Sequence, residues 1–190
     1  YRADPDHWEK TWQLCQEKYR KNPEYQKASN GGIDCKINGA YVNSALAKTE
    51  AFENGYDEAI MLNEDGHVSE GSAENLFMVR DGVLITPSVS DDILEGITRA
   101  GIMEIADHLG LKVRERQIDR SELYVADECF MTGTAANVTP VVEVDHRPVG
   151  SGKVGPITRK LLTLYGDVVR GKSRKYLKWC TPVYPSKKGA

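Results

Sequence analysis

Glu70-Gly71-Ser72-Ala73-Glu74-Asn75-Leu76-Phe77 sets two carboxylates apart by small residues and runs them straight into an apolar segment. Small residues leave the backbone open to close approach, and the run from Asn75 to Val79 has the composition of a buried strand. Asp81-Gly82 follows at once, a tight-turn dipeptide leading into Val83-Leu84-Ile85, so the segment predicts a β-hairpin. Upstream, Ala59-Ile60-Met61-Leu62 predicts another strand, with Asn63-Glu64-Asp65-Gly66 as the turn between. On local grounds alone, the two acids could equally be ordinary surface carboxylates in a turn.

Helical periodicity surrounds this strand cluster. Over about 42–54, Val42, Ala45, Leu46, Thr49 and Phe52 are spaced for one buried face, with Gly55 placed as a left-handed stop. Over 97–109, Ile102, Ile105, Ala106 and Leu109 share a stripe that Gly110 ends. Lys112 to Ile118 alternates as a half-buried strand, and Phe130-Met131 and Val138 to Val144 flank a turn at Gly133-Thr134-Ala135. Gly155-Pro156 opens a helix of about 157–170. Residues 6–21 predict an amphipathic helix with Trp8, Trp12, Cys15 and Tyr19 on one face, and the Gly-rich stretch 28–32 predicts a linker. The expectation is a helical appendage and linker over 1–32 and a mixed α/β domain over 33–190. The irregular strand spacing does not support a doubly wound parallel sheet.

The bulk properties narrow the function. A chain of 190 residues with 40% hydrophobic and 28% charged residues can bury a globular core. A net charge of -3 argues against a general nucleic-acid or membrane binder. The basic cluster Arg170, Lys172, Arg174, Lys175 and Lys178 reads as a solvated helix face. Cysteines at 15, 35, 129 and 180 form no Cys-x-x-Cys pair, so a zinc site has no support, and a reducing, cytoplasmic setting is expected. No run of about 20 apolar residues predicts a membrane span, and no signal peptide is visible. The chain begins with Tyr1, as a processed or partial chain does.

Four segments carry possible chemistry. Lys36, in Cys35-Lys36-Ile37-Asn38-Gly39, stands between a glycine-rich loop and a helix, where a desolvated lysine could act as a nucleophile. Glu70 opens the small-residue loop, where one acid could meet a ring nitrogen. Gly96-Ile97-Thr98 begins a strong helix, a natural anion site. Gly133-Thr134-Ala135-Ala136 offers a hydroxyl and successive N–H groups in a turn. Singly, each has an ordinary structural explanation: a solvated lysine, a surface acid, a helix cap, a tight turn. Together they match what pyridoxal-phosphate chemistry requires: an imine-forming lysine, an acid for the pyridine nitrogen, and cradles for phosphate and substrate carboxylate.

In combination, K-I-N-G-A-Y-V-N-S (36–44), E-G-S-A-E-N-L-F (70–77), L-E-G-I-T-R (94–99), G-T-A-A-N-V-T-P-V (133–141) and G-P-I-T (155–158) resemble fold-type IV aminotransferases, most closely the branched-chain group. The resemblance runs from Lys36 to about Pro182 and corresponds to the larger, C-terminal domain of that family. It implies a pseudo-barrel of short strands with surrounding helices, and pyridoxal 5'-phosphate as cofactor. It implies Lys36 as Schiff-base and proton-transfer lysine, Tyr41 at the cofactor's phenolic oxygen, and Glu70 at the pyridinium nitrogen. Leu94 would pack on the ring, Ile97, Thr98 and Thr134 would hold the phosphate, and the backbone at Thr134-Ala135 would receive the substrate carboxylate. Glu74, Asn75 and Arg99 would support these contacts.

The implied activity is reversible transfer of an amino group between leucine, isoleucine or valine and 2-oxoglutarate, in a homodimer or larger homo-oligomer. D-amino-acid aminotransferases and aminodeoxychorismate lyases share the fold and remain alternatives. So does a catalytically silent fragment, because the family carries a smaller N-terminal domain that residues 1–32 are too few to build.

Overall fold

The computed structural model describes residues 41–181. The expected mixed α/β arrangement is what these residues form. Helix α1 spans Tyr41–Glu53 and ends at Gly55, whose φ of 83° is the left-handed stop foreseen from its position. Strands β1 (Ile60–Leu62) and β2 (Val68–Gly71) pair as an antiparallel ribbon across the turn that holds Gly66. Strands β3 (Asn75–Arg80) and β4 (Val83–Thr86) make the hairpin; Asp81 and Gly82 both have positive φ, as a two-residue turn matched to strand twist demands. Helix α2 (Ile97–His108), β5 (Val113–Glu115), β6 (Glu128–Gly133) and β7 (Asn137–Val141) follow, then the ribbon β8 (Glu143–Val144) and β9 (Arg147–Pro148), and helix α3 (Pro156–Val169).

Five strands form one open mixed sheet in the order β5-β4-β3-β6-β7. Only β4 and β5 run parallel. The central strands β3 and β6 are buried on both faces, which explains their near-continuous apolar sequences. Leu76, Met78, Cys129 and Met131 point to one face and pack with Val68, Ile118, Leu123 and Val149. Phe77, Val79 and Phe130 point to the other and pack under α2 and α3, against Ile102, Ile105, Leu161 and Val168. The rings of Phe77 and Phe130 stack 5.0 Å apart at the centre of that layer. Among the described residues no helix is long and apolar enough to cross a membrane.

Two expectations need correction. Val42, Leu46 and Phe52 of α1 are 60%, 66% and 71% exposed, and Ala45 and Thr49 are exposed with them. The half-buried residues are instead Tyr41, Ser44, Ala47 and Ala51, a narrow face of mostly small residues. The strand expected from Lys112 to Ile118 is also shorter, ending at Glu115. Beyond it Arg116 turns to pair with Glu122, and Ile118, wholly buried, accepts a hydrogen bond from Val68 N–H through its carbonyl.

Candidate functional site

The site is built around the sharp connection between β2 and β3. Gly71 N–H donates to Glu74 O at 2.6 Å, closing the turn in which Ser72 and Ala73 sit. A Cβ on Gly71 would come within 3.1–3.2 Å of Glu74 and of Met131 Sδ, a tight approach that those neighbours would have to relieve by a few tenths of an ångström. The turn places Glu70 and Asn75 side by side, and Asn75 Nδ2 donates to Glu70 Oε2 at 2.9 Å.

These two residues and Ser69 hold the loop that leads into α2. Ser69 Oγ donates to Asp92 O at 3.0 Å. Leu94 N–H donates to Glu70 Oε2 at 3.0 Å, and Asn75 Nδ2 also donates to Leu94 O at 2.7 Å. Glu70 and the L-E-G-I-T-R segment, 24 residues apart between Glu70 and Leu94, are thus directly bonded. Gly96 caps α2 without a side chain, no acid stands in the first turn, and Ile97 is 92% exposed. Thr98 is buried and lies 3.5 Å from the Tyr165 hydroxyl of α3.

The Gly133–Ala136 turn joins the same cluster. Gly133 lies against the loop before β3: a Cβ there would meet Glu74 Cγ at 3.3 Å and Ala73 O at 3.5 Å. Thr134 and Ala135 are exposed, and Asn137, at φ 55°, donates through its side chain to Ala135 O at 3.2 Å. Thr132 pairs directly with Asn75, so the two side chains share a sheet face. Thr132 Oγ1 is buried and has no hydrogen-bond partner among the described residues. Three of the four predicted segments therefore meet at one end of the sheet. Tyr41 is half-buried at the start of α1. Lys36, the fourth element, lies outside the described residues.

A second acidic group adjoins the cluster. Lys48 Nζ bonds Glu58 Oε2 at 2.6 Å, and this bond raises the lysine above its ordinary value. Burial and the neighbouring Glu58 charge push the Glu74 carboxyl above the usual carboxylate range. Glu58, despite its own burial, is held below that range by hydrogen bonds from Lys48, Ser72 and the Ala59 N–H. Hence Glu74 is the member of the pair that holds a proton more readily.

Sequence reading missed Glu128. Glu128, buried at the start of β6, accepts from Ile157 N–H at 3.0 Å and Thr158 N–H at 2.6 Å, so it caps α3 across the fold. A Cβ on Gly155 would lie 2.1 Å from Glu128 Cδ, which explains the glycine of the G-P-I-T motif. No local signal could have linked residues 29 positions apart. Arg99 proves to be a structural anchor, bonding Thr86 Oγ1, Pro87 O and Glu115 Oε2 from a buried position.

Comparison with known families decides the ancestry of this arrangement. The model of the amino-transferase class IV family matches residues 4–144. The chain belongs to the class IV aminotransferases. The match starts at residue 4, inside the segment read from sequence as an appendage. A probable branched-chain-amino-acid aminotransferase of Aquifex aeolicus is 59% identical over 150 residues, which is 78% of this chain and 48% of the relative. The branched-chain aminotransferase of Thermoproteus uzoniensis, solved with norvaline, superposes with a TM-score of 0.77 at 52% identity. That alignment covers 82% of this chain and 52% of the solved one. The branched-chain amino acid aminotransferase of Thermobaculum terrenum, solved in its PLP-form, aligns with a TM-score of 0.74 at 47% identity, covering 76% and 48% of the two chains. The chain spans about half the length of the relatives it matches.

Proposed function

We propose that the protein to which this chain belongs transfers amino groups between branched-chain L-amino acids and 2-oxoglutarate, using pyridoxal 5'-phosphate. The observation that carries the reading is the bonded set Glu70–Asn75–Leu94, which ties an acid to the start of α2. Family membership and the PLP-form of the Thermobaculum terrenum relative support the same choice of cofactor.

The residues present suit such a group. The first N–H groups of a helix have no partner within it, and Gly96 supplies no capping side chain, so the start of α2 is open to an anion. The Thr132 hydroxyl, unpartnered among the described residues, lies on the Asn75 face of the sheet. Glu70 supplies the acid that a protonated pyridine ring needs. The cofactor, when bound, contributes an electron-accepting ring that weakens the bonds at the substrate's α-carbon.

In this reading each of the chain's residues has a defined task. Lys36 is the covalent attachment point and moves the proton from the substrate α-carbon. Glu70 keeps a proton on the ring nitrogen, with its carboxylate fixed by Asn75 and Leu94 N–H. Tyr41 orients the ring through its phenolic oxygen, and Leu94 packs on its face. Ile97 and Thr98, with Thr134, hold the phosphate. The backbone at Thr134-Ala135 receives the substrate carboxylate. Residues 33–190 form the cofactor-binding domain, the assembly is a homodimer or larger, and its setting is the cytoplasm.

Incubation of the pyridoxal-phosphate-loaded protein with single amino acids tests the substrate class. L-leucine should bleach the bound visible band and yield 4-methyl-2-oxopentanoate. A response to D-alanine instead, or release of pyruvate from aminodeoxychorismate, would replace this reading with one of the other activities of the fold.

A further inference from the structure

Asn75 is 5% exposed and is the residue on which the contacts between β2, β3 and the 92–96 loop converge. Its single Nδ2 carries two protons and spends one on Glu70 Oε2 and the other on Leu94 O. Leu94 N–H closes the triangle on the same Glu70 oxygen. The other end of the amide is equally constrained: a Cβ on Gly96 would sit 2.1 Å from Asn75 Oδ1. Gly96 has φ -71° and ψ 134°, a backbone that any residue adopts. Glycine is therefore required at 96 by the neighbouring amide and not by its own conformation. An aspartate at 75 could not donate twice, a serine has one proton to give, and a glutamine is a methylene too long for the space beside Gly96.

We infer that Asn75 is a positioning residue that sets the span between the Glu70 carboxylate and the anion-binding start of α2, and so selects ligands that carry a basic ring and a phosphate at that span. This rests on the function proposed above. Asn75 touches neither end of the ligand in that reading; it acts by holding both ends of the site in register. A ligand that bridges the two ends must feel its loss more than one that meets a single end.

The test uses the full chain, its Asn75→Ala and Gly96→Ala variants, and the Asn75→Ala/Gly96→Ala double variant. Dissociation constants are measured for pyridoxal phosphate, which bridges the site, and for inorganic phosphate, which does not. Hydrogen exchange at the Leu94 amide is followed without ligand. Asn75→Ala should weaken pyridoxal phosphate by about ten- to a hundredfold, the scale of one lost hydrogen bond to a charged group, and inorganic phosphate by less than about threefold. Gly96→Ala should reproduce the effect, and in the double variant should add less than about threefold, since both substitutions disable one contact. Leu94 should exchange faster in every variant. Should Asn75→Ala fail to fold, Gly96→Ala alone, which displaces the same amide without adding charge, carries the same expectations. Equal weakening of both ligands, or fully additive effects of the two substitutions, would overturn the inference. Failure of the parent chain to bind pyridoxal phosphate would overturn the functional reading and the positioning role with it. The Leu94 exchange rates would still decide whether Asn75 clamps the loop.

Discussion

Removing the Glu128 carboxylate should loosen the last helix. The side chain is 7% exposed and accepts two backbone N–H groups at the start of α3, at 3.0 and 2.6 Å. A hydrogen bond to a charged acceptor contributes about 1.5–3 kcal/mol, and a single cap substitution costs up to about 2 kcal/mol. The two bonds here satisfy one helix start and are not independent, so Glu128→Ala should cost about 3 kcal/mol. Glu128→Gln keeps one acceptor oxygen but turns an NH2 toward the other N–H, and should cost about 1–2 kcal/mol. Gly155→Ala should fall in the same range, because its new Cβ would collide with the carboxylate carbon. Urea unfolding, with the slope checked for constancy, reads the difference directly. The loss should also reach the site, because α3 carries the Tyr165 hydroxyl that lies beside Thr98. If both Glu128 variants stay within about 0.5 kcal/mol of the parent, the side chain is not a functional cap and the role assigned to Gly155 falls with it.

Other consequences are open to measurement. Phe77→Ala should destabilise by about 3–5 kcal/mol in thermal or urea unfolding, since the ring is fully buried and stacked on Phe130. Glu74 holds its proton above the usual carboxylate range, so the fold loses stability as pH rises from that range through the raised value. Glu74→Gln should therefore gain relative to the parent at neutral pH and show no gain near pH 3, which unfolding at the two pH values would reveal. The opposite sign applies to Glu122, which the Arg116 hydrogen bond holds below the usual range. Its contribution is present above that range and disappears as pH falls through the lowered value, so Glu122→Gln should flatten the acid limb of the stability curve. Burial pushes the Cys129 thiol up to about 12, so peptide mapping after brief alkylation should find Cys180 modified and Cys129 intact until the chain is unfolded.

Much of this architecture is written in local patterns. Asp81-Gly82 announces its hairpin because few residues adopt two successive positive φ angles. Gly55 and Gly110 mark helix ends for the same reason. The E-G-S-A-E-N-L-F loop stands out because small residues between acids serve little purpose on an ordinary strand. What local patterns miss is whatever depends on distant partners. Val42, Leu46 and Phe52 have helical spacing, but periodicity reports an apolar stripe and not what covers it; nothing among the described residues does. Glu128 could not be matched to α3, nor Asn75 to Gly96, until the sheet brought them together. Lys36, on which the proposed chemistry turns, was legible only through its motif and lies outside the described residues.

The most direct test of the account is to locate the cofactor's attachment. The purified chain, with Lys36→Ala as its control, is incubated with pyridoxal phosphate, reduced with borohydride and mapped by mass spectrometry. One phosphopyridoxyl-modified peptide is expected, carrying the group on Lys36, together with a visible absorption band that L-leucine bleaches before reduction. Modification scattered over other lysines, no modification at all, or equal labelling of Lys36→Ala would contradict it.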